Sequence, residues 1–109
     1  MTVKRAFPVK RPSDPNRRVL HLNLRCEYFD AIAEGTKRIE YRDRTEYWAT
    51  RLEGREYDVV EFRNGYATRA PVLQIGFCGV KKVRKWGGPV YAIQLGELIS
   101  VKRWKPGKP

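Results

Sequence analysis

Gly35-Thr36-Lys37-Arg38-Ile39-Glu40-Tyr41-Arg42 is the stretch on which the fold turns. It follows Cys26 to Glu34, where Tyr28, Phe29, Ile32 and Ala33 recur at helical spacing. Gly35 stands where such a helix stops, because glycine accepts a left-handed cap at low cost. Beyond it the residues alternate, with Ile39 and Tyr41 on one side and Arg38, Glu40 and Arg42 on the other. The spacing therefore predicts a helix, a glycine cap and a strand with a charged face, with Lys37 at the hinge. On that face Lys37 and Arg42 can clamp a phosphate or polarise an oxygen, Arg42 in bidentate fashion. Glu40 can accept from a base amino group or act as a general base. The plainer alternative is an exposed ion pair of Glu40 with Arg38 or Arg42, a common and weak arrangement.

Outward from this stretch the chain reads as short strands. Arg18 to Leu24 alternates, with Leu20, Leu22 and Leu24 on one face and Val19, His21 and Asn23 on the other, so a half-buried strand is expected. His21 reads as a partly exposed strand residue, with general-base chemistry as the alternative. Thr45 to Leu52 predicts a second short helix, capped by Thr45 and with Trp48 and Leu52 as its apolar seam. Tyr57 to Phe62 predicts a strand. Asn64-Gly65 is a two-residue hairpin signal, which makes Tyr66 to Val80 the return strand. Pro71 confines the start of that strand to an edge, and Gly76 and Gly79 mark bends or bulges. Gly87-Gly88-Pro89 is a turn, and Val90 to Leu95 and Leu98 to Trp104 complete the sheet. The expected fold class is α+β, a small barrel of about five or six mostly antiparallel strands with two short helices.

A chain of 109 residues allows one domain with a modest core. Met1 to Arg17, with Pro8, Pro12 and Pro15, reads as an extended basic arm. Residues 18–104 form the domain, and 105–109 are a basic tail. No apolar run is long enough to span a membrane, and the N-terminus lacks the apolar segment of a secretory signal. Cys26 and Cys78 are isolated, which points to reduced thiols in a cytoplasmic protein and to no metal or other cofactor.

The formal charge is +11, which favours a polyanionic partner. Its distribution is uneven. Residues 1–18 carry six basic residues against Asp14, and residues 102–109 carry Lys102, Arg103, Lys105 and Lys108 with no acid. The intervening segment is close to neutral, and its one dense basic cluster is Lys81-Lys82-Val83-Arg84-Lys85-Trp86. Arg17, Arg18, Lys81, Lys82, Arg84 and Lys85 are the candidate phosphate contacts. Trp86 and, second to it, Tyr66 are the candidate exposed rings on which a base can stack; Tyr41 and Trp48 read more readily as core.

Gly35, Lys37, Glu40 and Arg42 together resemble the GxKxxExR signature of the ASCH domain, a branch of the PUA-like superfamily. The likeness extends to the order of the flanking elements, from the strand at Val19 through Tyr28-Phe29-Asp30, the Gly54 turn and the strand with Phe62, and spans roughly Val19 to Trp104. It implies a PUA-like barrel with a ligand cleft at Lys37, Glu40 and Arg42. Some ASCH relatives are amidohydrolases that deacetylate N4-acetylcytidine; their motif reads GxKxxTxR, with catalytic Lys and Thr and a Glu from a later helical insertion. Lys37 matches that lysine, whereas Glu40 occupies the threonine position and no such insertion is present. Other relatives are described as binding or cleaving RNA, and the Glu-containing motif fits that broader pattern. Two functions follow. The first is binding of RNA or another single-stranded nucleic acid. The second is catalysis on RNA or on a modified nucleoside, with Lys37 and Glu40 as the reacting groups and Arg42 or Lys37 stabilising the charged state.

Overall fold

Period-two alternation decides which residues enter the core, and strand register decides which way the motif faces. The structure, a computed structural model, describes residues 16–105. Most of the predicted arm and all but Lys105 of the predicted tail lie outside the described residues. Seven elements follow in order: β1 (Val19–Asn23), α1 (Cys26–Glu34), β2 (Ile39–Asp43), α2 (Glu46–Leu52), β3 (Val59–Arg63), β4 (Val72–Lys85) and β5 (Gly88–Lys102). The five strands form one sheet in the order β1-β3-β4-β5-β2. β1 runs parallel to β3, and every other neighbouring pair is antiparallel. The fold is therefore α+β with a mixed sheet and two helices. The sheet is not closed, because β1 and β2 end the ladder.

The inner sheet face buries Leu20, Leu22, Val60, Phe62, Leu73, Ile75, Tyr91 and Ile93, and the helices contribute Phe29, Ile32 and Leu52 to the same core. Gly35 terminates α1 at φ 88°, and the backbone N–H groups of Gly35, Thr36 and Lys37 return to the carbonyls of Ile32 and Ala31. Thr45 Oγ accepts from Trp48 N at 3.3 Å and caps α2. The Trp104 indole donates to Asp30 Oδ1 at 2.8 Å, tying the end of the described chain to α1.

Four expectations change besides barrel closure. The turn after β4 is Trp86-Gly87 rather than Gly87-Gly88-Pro89, since Gly88 and Pro89 already pair in β5. Asn64-Gly65 is not a two-residue hairpin: β3 ends at Arg63 and β4 begins at Val72, so residues 64–71 form a longer loop. Asn23 explains this, because its side-chain amide donates to Gly65 O at 3.2 Å and accepts from Gly65 N at 2.9 Å. That bracket satisfies the glycine backbone without a tight turn. The Lys81–Lys85 cluster is not a separate segment before a turn but the last part of β4, which continues through bulges around Gly76 and Gly79. Finally, β5 passes through Gly96 unbroken, with the register shifts taken up against β4.

Candidate functional site

The register of β2 on β5 places Glu40 opposite Ile93 and Arg42 opposite Tyr91, both core residues. The charged side of β2 thus faces inward, and the exposed ion pair considered from the sequence is instead a network of one buried carboxylate and two part-buried cations. Glu40 is only 6 % exposed. A carboxylate so buried costs several kcal/mol unless it is paired. Here both oxygens are engaged: Lys37 Nζ lies 3.2 Å from Oε1, and Arg42 Nε and Nη2 lie 3.0 and 2.9 Å from Oε2. Arg42 Nη2 also donates to Asn23 O at 3.0 Å, linking β2 to the end of β1 at the opposite edge of the sheet. Leu95 N takes the carbonyl of Arg38, so the next carbonyl, that of Ile39, points to the free edge of β2, and Lys37 Nζ donates to it.

Aromatic rings line this network. Lys37 Nζ lies 5.8 Å from the Tyr28 centroid and 5.7 Å from that of Tyr41, and the Arg42 guanidinium lies 5.0 Å from Trp48. These are cation–π distances. Tyr41 also carries Lys85 Nζ at 5.2 Å and meets Trp86 edge-on at 5.1 Å, while Lys85 lies 5.1 Å from Trp86. One ring therefore joins the buried motif to the exposed tip of the β4–β5 hairpin. Arg44 braces that hairpin by donating from Nη2 to Val83 O and Val90 O at 2.8 and 3.2 Å.

The hairpin tip carries an unusual residue. Lys85 pairs with Gly88, leaving Trp86 and Gly87 as the two-residue turn, at φ 55° and 79°. Positive φ at both positions is what a type I′ hairpin requires, and Asn-Gly or Gly-Gly normally meets it. A left-handed L-residue costs roughly 1–2 kcal/mol. Trp86 accepts this cost while 75 % exposed.

The other candidate residues divide by strand geometry. Along β4, Lys81 shares the face of Ala92 and hence of Tyr41, and Lys85 follows on that face, whereas Lys82 and Arg84 take the opposite one. The basic cluster is thus two half-clusters. Lys82 Nζ pairs with Glu53 at 3.3 Å, and Arg18 pairs with Asp58 at 3.5 Å. Both basic residues line a cleft of about 610 Å³ between the end of α2 and the β4 bulge. Arg17 instead donates to Gln74 and lines a second cleft of about 520 Å³. Neither cleft includes Lys37, Glu40 or Arg42. Tyr66, 89 % exposed, follows the Gly65 held by Asn23, two hydrogen-bonded links from Arg42. His21 Nδ1 sits 3.2 Å from Glu61 on the neighbouring strand. Cys26 and Cys78 are free and exposed, and no group of metal-ligating side chains gathers among the described residues.

Sequence reasoning missed four contributors. Tyr28, expected on the apolar stripe of α1, is about half exposed and lies against Lys37; its position next to Phe29, rather than a helical turn away, is the signal that one of the two must leave the core. Asn23 carries no motif at all. Glu53 and Tyr91 form a hydrogen bond in the first cleft that no spacing reveals, with the phenol donating to Glu53 Oε2. This bond, with Lys82 beside it, holds the Glu53 carboxyl below its ordinary value; it also raises the Tyr91 phenol, and burial adds to that rise.

The chain matches no protein-family model, and comparison with curated proteins and with solved structures returns no match.

Proposed function

We propose that this protein is an ASCH-like, PUA-like module that binds RNA or another single-stranded nucleic acid at the surface joining Lys37, Tyr41, Lys85 and Trp86. The observation that carries this reading is Trp86: an exposed indole held at a strained φ, beside a lysine, on a hairpin tip braced by Arg44. Strain of this kind is retained where the side chain is needed at that spot. An aromatic face next to cations suits an unpaired base, whose stacking contributes ~1–3 kcal/mol. The GxKxxExR-like stretch supplies the second support. Its carboxylate is fully engaged, so Glu40 acts as the anchor that orients Lys37 and Arg42. The Arg42 bond to Asn23 O draws the two sheet edges together, which agrees with a PUA-like curl. Exposed free thiols agree with a reduced cytoplasmic setting.

The test is fluorescence anisotropy with short single-stranded RNA, single-stranded DNA and duplex, for wild type, Lys37→Ala and Trp86→Ala. Each sample is run on a gel afterwards. Trp86→Ala weakens single-strand binding about 5- to 150-fold at every salt concentration, the equivalent of the stacking term. Binding indifferent to both substitutions rejects the reading. RNA cleaved by wild type in EDTA, and intact with folded Lys37→Ala, moves the assignment to the enzymatic alternative.

A further inference from the structure

We propose that the sheet face opposite the core is a second site, a docking face for the phosphates of a nucleic-acid backbone. The proposal rests on the reading that the partner is a nucleic acid, but uses none of the residues at the hairpin tip. Alternation sends Leu20, Leu22, Val60, Phe62, Leu73 and Ile75 inward, and the residues between them form the other face. Register aligns these in rows. His21, Glu61, Gln74 and Ser100 lie across four strands, and Asn23, Arg63, Val72 and Lys102 lie in the next row. Arg17, Arg63, Lys102 and Arg103 line the 520 Å³ cleft there, with Glu61 as its one acid.

That acid does not balance the cations. Glu61 Oε1 accepts from Gln74 Nε2 at 2.9 Å, and Oε2 faces His21 at 3.2 Å. Gln74 Oε1 accepts from Arg17 at 3.2 Å, so the polar row sets Arg17 at the cleft and offers no carboxylate to Lys102. Among the described residues, Lys102 Nζ and Ser100 Oγ have no hydrogen-bond or ion-pair partner. Arg63 donates from Nη2 to Ala67 O and Arg103 shares its Nε–H between Arg69 O and Ala70 O, all in the 64–71 loop, which leaves further N–H donors on both guanidinium groups. Four cations lining one cleft repel one another, and an anion relieves that repulsion. Arginine forks match phosphate oxygens. Arg63 and Lys102 are two strand spacings apart, roughly 10 Å, a spread that suits successive phosphates on one chain better than a single ion.

The experiment compares the full chain with the double variant Arg17→Gln/Lys102→Gln and with Trp86→Ala, binding a fluorescein-labelled oligouridylate over a salt series. The double variant lowers the steepness of log K against log salt by about 1.4, two cations at roughly 0.7 each. Trp86→Ala lowers affinity with the slope unchanged, and Lys102→Arg retains the wild-type slope. A double variant that keeps the wild-type slope overturns the docking face while leaving the Trp86 reading intact. A flattened slope combined with a silent Trp86→Ala does the reverse. Wild-type chain that fails to bind the oligouridylate overturns both. Competition identifies the anion: inorganic polyphosphate displaces the RNA, and polyglutamate of matched charge does so at least tenfold less well. Equal displacement by the two means an acidic protein surface serves equally, and overturns recognition of phosphate.

Discussion

Replacing Trp86 by Gly and, separately, by Ala isolates the backbone strain at the hairpin tip. Both substitutions remove the indole, and with it the edge-on contact to Tyr41 and the Lys85 contact. Those contacts contribute about 0.5–1.5 and about 0.5–1 kcal/mol respectively. The variants differ only in what the backbone needs. In ordinary strand or helix positions Gly is less stable than Ala by roughly 0.5–1 kcal/mol, because it loses more freedom on folding. At φ 55° Ala keeps the left-handed penalty of about 1–2 kcal/mol and Gly does not. The sign therefore inverts, and Trp86→Gly is more stable than Trp86→Ala by about 0.75 kcal/mol, or some 3–6 °C in Tm for a domain of this size. Thermal unfolding followed by circular dichroism measures this directly, and wild type stands above both. Single-strand binding falls equally in the two variants. An alanine variant as stable as the glycine variant refutes the strain. Undiminished RNA binding in both refutes the need for the ring.

Three further outcomes follow from other parts of the structure. Glu40→Ala leaves Lys37 and Arg42 as adjacent, partly buried cations and destabilises the fold by about 3–5 kcal/mol, read from denaturant midpoints; a loss below 1 kcal/mol means the network is not buried in solution. Glu53 is held low, so its contribution to stability is present above the ordinary carboxyl value of 4.5 and fades as pH falls through its folded value. Tyr91 is raised, so its contribution is present below 10.0 and fades as pH rises through its folded value; Tyr91→Phe flattens the stability–pH curve at both ends, and an unaltered curve refutes the pairing. Asn23→Ala unpins Gly65 and speeds amide exchange of the 64–71 loop well before the core exchanges, whereas unchanged protection shows that the loop is held elsewhere.

Local signals in the sequence were sufficient for α1, its Gly35 cap, the Thr45 cap and the inward leucines of β1, because periodicity and capping chemistry act within a few residues. Alternation in β2 also showed that Glu40 and Arg42 share a side. It did not show which side, since a period of two is the same for an outward and an inward face. Register with Ile93 and Tyr91 decides that, and those partners lie some fifty residues downstream. The loop at residues 64–71 was hidden for a related reason: Asn-Gly is a strong hairpin signal until a distant amide, here Asn23, brackets the glycine. The Lys81–Lys85 cluster read as one patch because charge was counted along the chain. Once those residues lie in a strand, neighbouring cations point to opposite faces. The proposed docking face was illegible for the same reason. Arg17, Arg63 and Lys102 meet only through pairing across β3, β4 and β5.

The buried network at the motif is an expensive way to hold a strand edge. Replacing a buried ion pair with well-packed apolar side chains is often neutral or stabilising by about 1–4 kcal/mol, so stability alone does not explain Lys37, Glu40 and Arg42. What the network provides is direction. Oε1 of Glu40 fixes the lysine, Oε2 fixes the arginine, and the two cations are presented to Tyr28, Tyr41 and Trp48 rather than left to rotate in solvent. One carboxylate neutralises one of the two cations, and the remaining positive charge lies next to Tyr41, the ring that also carries Lys85 and meets Trp86. Rigid cations beside a rigid aromatic surface lose little freedom when a charged, planar ligand arrives. On the proposed reading, the same preorganisation explains the strained tryptophan: the motif and the hairpin tip each give up stability to hold one surface in a ligand-ready shape.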